Sequence, residues 1–318
     1  MKNIIIFLCL FSAVNGNTQT TAPAYPYPVN YFSLYAENQS MKMAYMDVKP
    51  IHPNGQTVLL LHGKNFNGYY WKDVISFLSA NGCRVIVPDQ IGWGQSDKPD
   101  IHYSFHLLAS QTKKLLDSLG INKVCVIGHS MGGMLAARFA IMYPETIDKF
   151  ILENPIGLED YKTFVPYHSP DKEFETEMKA NYESLKKYQQ GYYPVWKPDY
   201  EQYVAAQYAS LQVPDFKQAT WASSLTYEMI YEQPVLYEFN KITQPALLII
   251  GQADRTIVGK GLLSKEEAAK HGNYPALGKW LHQQIKNSQL VELDGVGHIP
   301  HIQAPEDFKK QVLNFLKQ

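Results

Sequence analysis

Short apolar segments alternate with amphipathic segments along most of this chain, and this alternation limits the possible folds more than any other feature. The apolar segments are typical of buried strands, as in "TVLLLHG", "RVIVPDQ" and "KVCVIGHS". The amphipathic segments repeat apolar residues at helical spacing, as in "SFHLLASQTKKLLDSLG". Such alternation predicts a mostly parallel sheet with helices on both faces. With 318 residues, the chain is long enough for one such domain and an insertion.

Two segments depart from the alternation. The first, "YFSLYAENQSMKMAYMDV", alternates apolar and polar residues around a polar turn at Glu37–Ser40, which predicts an antiparallel hairpin. The second, residues 156–240, contains no strong buried strand and is dense in aromatic residues. We interpret it as a helical cap inserted between two strands. The predicted α/β core then comprises residues 29–155 and 241–318.

The N-terminus has the pattern of a secretory signal peptide. Lys2 precedes an apolar run from Ile4 to Val14, and small and polar residues follow, with a plausible cleavage site after Gly16. We therefore expect a signal peptide over residues 1–16, a lead-in without fixed structure over 17–28, and a secreted or periplasmic protein. An uncleaved anchor or a buried strand is the alternative.

Charge and cysteine content argue against several partners. The formal net charge of −1 gives no basic face for nucleic acid, and the apolar run is too short for stable membrane insertion. Cys83 and Cys125 lie at or in predicted central strands, where a buried free thiol is the common state, and no metal-ligand spacing surrounds them. We expect a small-molecule substrate and neither a metal nor an organic cofactor. The oligomeric state stays open.

A serine lies where one predicted strand turns into a helix. Gly128-His129-Ser130-Met131-Gly132 fits the Gly-x-Ser-x-Gly pattern, and the glycines leave room for a tight turn. Ser130 would then be held at the carboxyl edge of the sheet, where the following helix directs its free N–H groups and positive dipole end. This context predicts a nucleophile.

A serine hydroxyl needs an adjacent base, and that base needs an acid. His298 is the predicted base because it follows a strand in a glycine-flanked loop, whereas His301 is expected to pack or bond locally. Asp254 is the predicted acid because it directly follows the strand "PALLIIG". Asp294 and Glu153 are the alternatives for the acid.

The tetrahedral intermediate needs hydrogen-bond donors for its oxyanion. One predicted donor is the backbone N–H of Met131, the residue after the nucleophile. The other should come from the loop after "TVLLLHG", where the backbone N–H of Lys64 is best placed.

Together these motifs resemble the α/β-hydrolase superfamily. The resemblance extends from about Thr57 to the C-terminus and rests on "LLLHGKNFNGYYW", "RVIVPDQIGWGQSDKP", "GHSMGG", "GQADRTIV" and "GVGHIPHIQAPEDF" in that order. It implies the α/β-hydrolase fold and a triad in the chain order Ser130, Asp254, His298. In the superfamily's sheet order, Cys83 and Cys125 lie about two strand spacings apart, which is too far for a disulfide.

The resemblance selects among branches mainly by exclusion. Haloalkane dehalogenases and epoxide hydrolases have an aspartate where this chain has Ser130. Proline iminopeptidases usually have His-Gly-Gly-Pro-Gly where this chain has "HGKNF", and carbon–carbon bond hydrolases also tend to have glycines there. Lys64 is the informative departure. Its ammonium is expected to contact an anionic or strongly polar part of the substrate or, alternatively, to face solvent or a cap carboxylate.

These observations predict a secreted serine hydrolase that cleaves a carboxylic ester of a small substrate through an acyl-enzyme. A peptidase or amidase of the proline-iminopeptidase type and a receptor-like ligand-binding protein are the alternatives. The substrate pocket is expected to be lined by residues from the oxyanion loop and the cap, namely Asn65, Phe66, Trp196 and Tyr227.

Overall fold

A computed structural model of the protein describes residues 24–318. The predicted signal peptide and residues 17–23 of the predicted lead-in lie outside this range. No helix between Ala24 and the C-terminus is both long and apolar enough to cross a bilayer.

Eight strands form one sheet in the order β1-β2-β4-β3-β5-β6-β7-β8. The six strands from β3 onward are parallel, and β2 pairs antiparallel with both its hairpin partner β1 and its sheet neighbour β4. The strands are β1 (Val29–Ala36), β2 (Gln39–Val48), β3 (Thr57–Leu61), β4 (Arg84–Pro88), β5 (Val124–His129), β6 (Ile147–Glu153), β7 (Ala246–Gly251) and β8 (Ser288–Leu293). This is the α/β-hydrolase architecture predicted from the sequence.

Helices follow the parallel strands and fill the segment between β6 and β7. The helices are α1 (Lys72–Ala80), α2 (Phe105–Ser118), α3 (Met131–Met142), α4 (Pro170–Glu177), α5 (Tyr182–Gln190), α6 (Glu201–Ala209), α7 (Phe216–Glu232), α8 (Lys265–Ala268), α9 (Tyr274–Gln284), α10 (Pro300–Gln303) and α11 (Pro305–Leu316). Four of them, α4 to α7, lie within the segment that we interpreted as a cap, and that segment contains no strand.

The central strands are apolar throughout because both faces of the sheet are covered. In β3, Val58 and Leu60 face the hydrophobic cluster that contains α1 and α11. Leu59 and Leu61 face the opposite cluster, which contains α2, α3 and α9. All four side chains are fully buried. Truncating one of the three leucines to alanine is expected to lower the free energy of unfolding by about 2–5 kcal/mol.

The N-terminal hairpin has a tighter turn than the sequence indicates. Ala36 pairs with Gln39, so only Glu37 and Asn38 form the turn, and both have positive φ angles of 47° and 59°. Two left-handed residues give a hairpin turn whose twist matches that of the strands. The predicted hairpin is present, with a two-residue turn.

Tyr25, within the predicted lead-in over residues 17–28, has a hydrogen-bond partner in the α/β core. The Tyr25 hydroxyl donates a hydrogen bond to Oδ2 of Asp89 at 2.5 Å, just beyond the end of β4. Burial, and then the charge of Asp89, raise the pKa of this hydroxyl well above its ordinary value, so it stays a donor. This contact ties Tyr25 to a buried carboxylate, and the expected lack of fixed structure over residues 17–28 stays a prediction.

The strand order determines which loops meet. The chain passes from β3 to β4 on one side and then returns to β5 on the other side of β3. Leu61 and Gly128 are therefore neighbours across the sheet, and the loops after β3 and β5 leave it together. Ligands of open α/β sheets bind at such a reversal. Cys83 and Cys125 are buried free thiols, as predicted.

Candidate active site

Ser130 lies in a strained turn between β5 and α3. Its φ and ψ are 56° and −122°, which is rare for a residue with a side chain. The glycines around it allow close approach of the backbone, since a Cβ on Gly132 would lie 2.0 Å from the carbonyl oxygen of Leu61 and one on Gly128 would lie 2.4 Å from that of Gly132. The turn therefore places the hydroxyl at the carboxyl edge of the sheet, as the motif predicts.

The structure brings the three predicted triad residues together. The Oγ of Ser130 lies 3.0 Å from Nε2 of His298, and Nδ1 of His298 lies 2.7 Å from Oδ2 of Asp254. All three are buried, with 7 % of Ser130, 1 % of His298 and 2 % of Asp254 exposed. Because the carboxylate only accepts, Nδ1 carries the proton and Nε2 is free to accept the serine proton. This geometry suits nucleophilic catalysis.

The Asp254 carboxylate accepts two further hydrogen bonds. Thr256 donates its backbone N–H to Oδ1 at 2.8 Å, and Asn154 donates its side-chain N–H to Oδ2 at 2.7 Å. Burial alone would raise the pKa of this carboxyl. The adjacent His298 and the donated hydrogen bonds outweigh burial and lower that pKa below its ordinary value. Asp254 is therefore held as an anion, which orients the imidazole and stabilises it when charged.

The two alternative acids lie elsewhere in the site. Asp294 is exposed in the turn after β8. Glu153 is fully buried, but its carboxylate contacts Nδ1 of His301 at 2.9 Å and accepts the backbone N–H of the same residue at 2.7 Å. His301 therefore bonds to the last residue of β6, and its ring stacks on Trp71 with centroids 4.4 Å apart, which is the packing predicted for it. The contact with Glu153 links the start of α10 to the end of β6.

The predicted oxyanion donors flank Ser130. Met131 is the first residue of α3, so its N–H has no acceptor one turn earlier in the helix. Lys64 lies in the loop after β3, and among residues 24–318 its backbone N–H donates to no protein acceptor. The next peptide along the loop is held in place, because the Lys64 carbonyl accepts the Trp93 indole N–H at 2.5 Å. Both donor roles remain predictions.

The Lys64 ammonium contacts the cap. It donates to Oε1 of Glu177 at 2.9 Å and to Oγ of Ser223 at 2.8 Å, and Ser223 donates to the same carboxylate oxygen at 2.9 Å. Burial would lower the pKa of this ammonium, but the carboxylates of Glu177 and Glu173 outweigh burial and raise it. Of the two expectations for Lys64, the structure shows the cap carboxylate.

The predicted pocket residues occupy different surroundings. Asn65 donates to the Tyr192 hydroxyl at 3.0 Å, and Phe66 is buried against Tyr70 and Tyr192. These two adjoin the triad, because the Tyr192 ring stacks on the His298 imidazole with centroids 4.9 Å apart.

Within residues 24–318, the two cap residues of the predicted pocket form no hydrogen bond and no aromatic pair with the triad. Trp196 packs against Tyr193 and Tyr200 within the cap. Tyr227 is buried beside Gly259, and within the described part of the chain its hydroxyl has no hydrogen-bond partner. Their assignment to the pocket remains a prediction.

Sequence reasoning missed two residues that hold the triad in place. Asn154 directly follows β6, a position that could have marked it, because strand ends converge at this edge. Tyr192 contacts the His298 loop twice, since its carbonyl accepts the His298 N–H at 2.9 Å and its ring covers the imidazole. No sequence signal separates Tyr192 from the other cap tyrosines. Between Ala24 and Gln318, no cluster of three His, Cys, Asp or Glu residues is arranged to hold a metal ion.

Comparison with known proteins gives the same architecture. A family model described as the alpha/beta hydrolase fold matches residues 56–305. The structure superposes on a probable hydrolytic enzyme from Pseudomonas aeruginosa PAO1 with a TM-score of 0.91 and 42 % identity, covering 93 % of this chain and 96 % of the other. An esterase from Exiguobacterium antarcticum shares the fold, with a TM-score of 0.69 and 22 % identity over 90 % of this chain and 99 % of the other.

Curated sequences match over a shorter region. An uncharacterized protein of Mycobacterium bovis is 40 % identical over 105 residues, which are 33 % of this chain and 30 % of that protein. The match therefore spans about a third of the relative's length and carries no functional assignment.

Proposed function

Because the chain belongs to the alpha/beta hydrolase family, we propose that it is a serine hydrolase that cleaves carboxylic esters of small substrates. The observation that carries this proposal is the hydrogen-bonded series Ser130–His298–Asp254 at the strained turn after β5, with distances of 3.0 Å and 2.7 Å. An ester is the first substrate class because the triad suits acyl transfer and an esterase is among the proteins of the same fold.

The first half of the reaction forms an acyl-enzyme. Ser130 Oγ attacks the ester carbonyl carbon while its proton passes to Nε2 of His298. The carbonyl π electrons move to oxygen, and the backbone N–H groups of Met131 and Lys64 stabilise the resulting oxyanion. When the intermediate collapses, the C–O bond to the leaving alcohol breaks, and His298 returns the proton to that oxygen. Asp254 stays ionised and stabilises the imidazolium.

Water completes the reaction along the same path. Nε2 of His298 takes a proton from water, the hydroxide oxygen attacks the acyl carbon, and the tetrahedral intermediate occupies the same oxyanion hole. Collapse breaks the bond to Ser130 Oγ, which recovers its proton from His298. The products are a carboxylic acid and an alcohol.

The surroundings of Ser130 favour a small substrate. Only 7 % of the serine is exposed, and its neighbours on the cap side include the tyrosine-rich segment around Tyr192. Such a site suits a short acyl or small aromatic group better than a long lipid chain, which needs an open apolar groove.

Active-site labelling tests the nucleophile. A fluorophosphonate should label the wild-type protein at neutral pH, Ser130→Ala should remove the label, and a variant of an exposed serine, Ser76→Ala, should retain it. A panel of p-nitrophenyl esters from acetate to octanoate, beside aminoacyl naphthylamides, then tests the substrate class. Highest kcat/KM for short esters supports the proposal, whereas preference for naphthylamides would favour a peptidase. Absence of labelling and of turnover would favour a binding protein.

We also propose that the protein is secreted or periplasmic, supported by the signal-like pattern from Lys2 to Gly16. N-terminal sequencing of the protein from its native host should find Asn17 as the first residue. A protein that retains Met1 in the cytoplasm would overturn this.

A further inference from the structure

His129, the residue before the nucleophile, has a hydrogen-bond partner on each ring nitrogen. Its Nε2 lies 2.8 Å from the backbone carbonyl oxygen of His298, and its Nδ1 lies 3.1 Å from the hydroxyl of Tyr70. The ring is fully buried. Tyr70 is also buried, and its hydroxyl accepts the backbone N–H of Gly63 at 3.2 Å. Four residues from three segments of the site, the stretch after β3, the end of β5 and the loop after β8, are thus joined in series.

Each proton in this series has only one possible position. A carbonyl oxygen only accepts, so Nε2 of His129 carries the proton that it donates to His298. In a neutral ring Nδ1 must then accept, so the Tyr70 hydroxyl donates to it. The lone pairs of that hydroxyl remain to accept from Gly63. The order is Gly63 N–H to Tyr70, Tyr70 O–H to His129, and His129 Nε2–H to His298.

The charge state of His129 fits this order. Burial first, and then the neighbouring His298 and His301, lower the pKa of His129 well below its ordinary value. The ring therefore stays neutral at the pH at which a serine hydrolase works, and it keeps one donor and one acceptor.

We propose that Tyr70 and His129 are positioning residues that hold the oxyanion loop and the catalytic histidine loop at a fixed distance on either side of Ser130. This inference rests on the proposed function. At one end the series fixes the Gly63 peptide, which precedes Lys64 and its oxyanion donor. At the other end it fixes the carbonyl of His298, and so the point from which the imidazole extends.

The spacing of the two loops matters because the oxyanion loop packs tightly against the turn that carries Ser130. A Cβ on Gly63 would lie 3.1 Å from Cβ of Ser130 and 3.4 Å from Nδ1 of His129, so the oxyanion loop contacts the elbow directly. A displacement of about 1 Å in reacting groups can lower a rate by about a hundredfold. Loss of the Tyr70 hydroxyl leaves both the Gly63 N–H and Nδ1 of His129 without a partner, and both ends can then shift.

The first test is Tyr70→Phe, with Tyr231→Phe as its matched control. Tyr231 is another buried tyrosine, and its hydroxyl donates to the Val165 carbonyl at 3.0 Å within the cap segment, away from the triad. With a short p-nitrophenyl ester, Tyr70→Phe should lower kcat by about 10- to 100-fold and change KM by less than about threefold. Tyr231→Phe should retain wild-type kcat even if its melting temperature falls equally.

The second test compares two changes of His129. His129→Gln can still donate an amide N–H near the Nε2 position, whereas His129→Leu can donate nothing. The kcat should decrease from wild type to Gln to Leu, which is rescue by the variant that conserves the donor. Equal kcat in both variants, or wild-type kcat in a folded Tyr70→Phe, would overturn the inference.

A third measurement uses the wild-type protein, so it does not depend on the folding of a variant. In the ¹⁵N spectrum of the wild-type histidines, His129 should show a protonated Nε2 and a bare Nδ1 and should not titrate between about pH 5.5 and 8. A proton on Nδ1, or titration in that range, would overturn the inference. An inactive, unlabelled wild-type protein would instead overturn the proposed function, so the two failures are distinguishable.

Discussion

Asn154 donates its side-chain N–H at 2.7 Å to the same carboxylate oxygen of Asp254 that accepts the hydrogen bond from Nδ1 of His298. The other end of its amide accepts the Gly251 N–H at 2.8 Å, which joins the end of β6 to the end of β7. Asn154 has a positive φ of 36°, a conformation that asparagine tolerates better than most residues. The side chain of Asn154 therefore links the Asp254 carboxylate to the ends of β6 and β7.

Asn154→Gly should lower kcat/KM for esters by about 10- to 100-fold. Glycine accepts the positive φ without strain, so the change removes the side-chain hydrogen bonds and leaves the backbone conformation available. A hydrogen bond to a charged group contributes about 1.5–3 kcal/mol, which corresponds to that range of rates if it is lost in the transition state. Steady-state kinetics with wild type and Asn154→Gly measure the effect. An unchanged kcat/KM would show that Asp254 is held by its other partners alone.

The low pKa of Asp254 predicts how stability depends on pH. In the unfolded chain this carboxyl has its ordinary pKa of about 3.9, and in the folded protein the pKa is lower. The unfolded state therefore binds the proton first as pH falls. The stabilising contribution is complete above the unfolded pKa and is lost as pH falls through the folded pKa.

Calorimetry of wild type and Asp254→Asn at pH 6, 4 and 3 tests this dependence. The melting temperature of the wild type should fall more than that of the variant as the pH is lowered, because only the wild type loses the contribution of the carboxylate. A constant difference would mean that the carboxyl has the same pKa in both states. At pH 7 the variant should also lose ester hydrolysis by about 10³- to 10⁴-fold, because its side chain cannot stabilise the imidazolium.

Much of this arrangement is readable from local patterns. The order of strands and helices, the glycines around Ser130 and the strand-end positions of Asp254 and His298 all lie in short stretches whose chemistry is local. The family resemblance then supplied the sheet order. The predicted turn, Glu37–Ser40, extends two residues beyond the observed turn of Glu37 and Asn38. Turn residues in a sequence indicate that a hairpin is present, but they do not fix which residues of the two strands pair.

What the sequence did not reveal depends on contacts between distant residues. Asn154 in "LENPIG" has the composition of an ordinary turn, and only the pairing of β6 with β7 brings it to Asp254. In the sequence, Tyr192 does not differ from the other tyrosines of the cap segment. Its contacts with the His298 loop are visible only in the folded structure. The link through Tyr70 and His129 ends on a backbone carbonyl, which no side-chain pattern encodes.

Lys64→Met should lower the free energy of unfolding and should have only a small effect on kcat. The variant keeps the backbone N–H that we assign to the oxyanion hole, so kcat should fall by less than about tenfold. It leaves the Glu177 carboxylate near Glu173 without its cation, which should lower the free energy of unfolding by about 1–2 kcal/mol in a partly exposed site.

The double variant Lys64→Met/Glu177→Gln is the matched comparison for Lys64→Met. Because it removes the unpaired carboxylate, it should recover part of the melting temperature. Relative kcat/KM for charged and neutral esters should be the same in wild type and Lys64→Met. A selective loss of anionic esters in Lys64→Met would instead support an ammonium contact with substrate.

Gly132→Ala should disrupt the site although alanine is the better helix former. Alanine within a helix gains about 1 kcal/mol over glycine, but here the new Cβ would lie 2.0 Å from the Leu61 carbonyl oxygen. A backbone carbonyl cannot rotate out of the way as a side chain can, so the end of β3 must move. The oxyanion loop directly follows β3 and is expected to move with it. We expect a loss of about 1–3 kcal/mol or more in unfolding free energy and at least about a hundredfold in kcat. Gly261→Ala, where a Cβ would have no neighbour within 4 Å, should change neither quantity measurably. Wild-type kcat in Gly132→Ala would mean that the oxyanion loop can move without cost to the reaction, against the role assigned to Lys64.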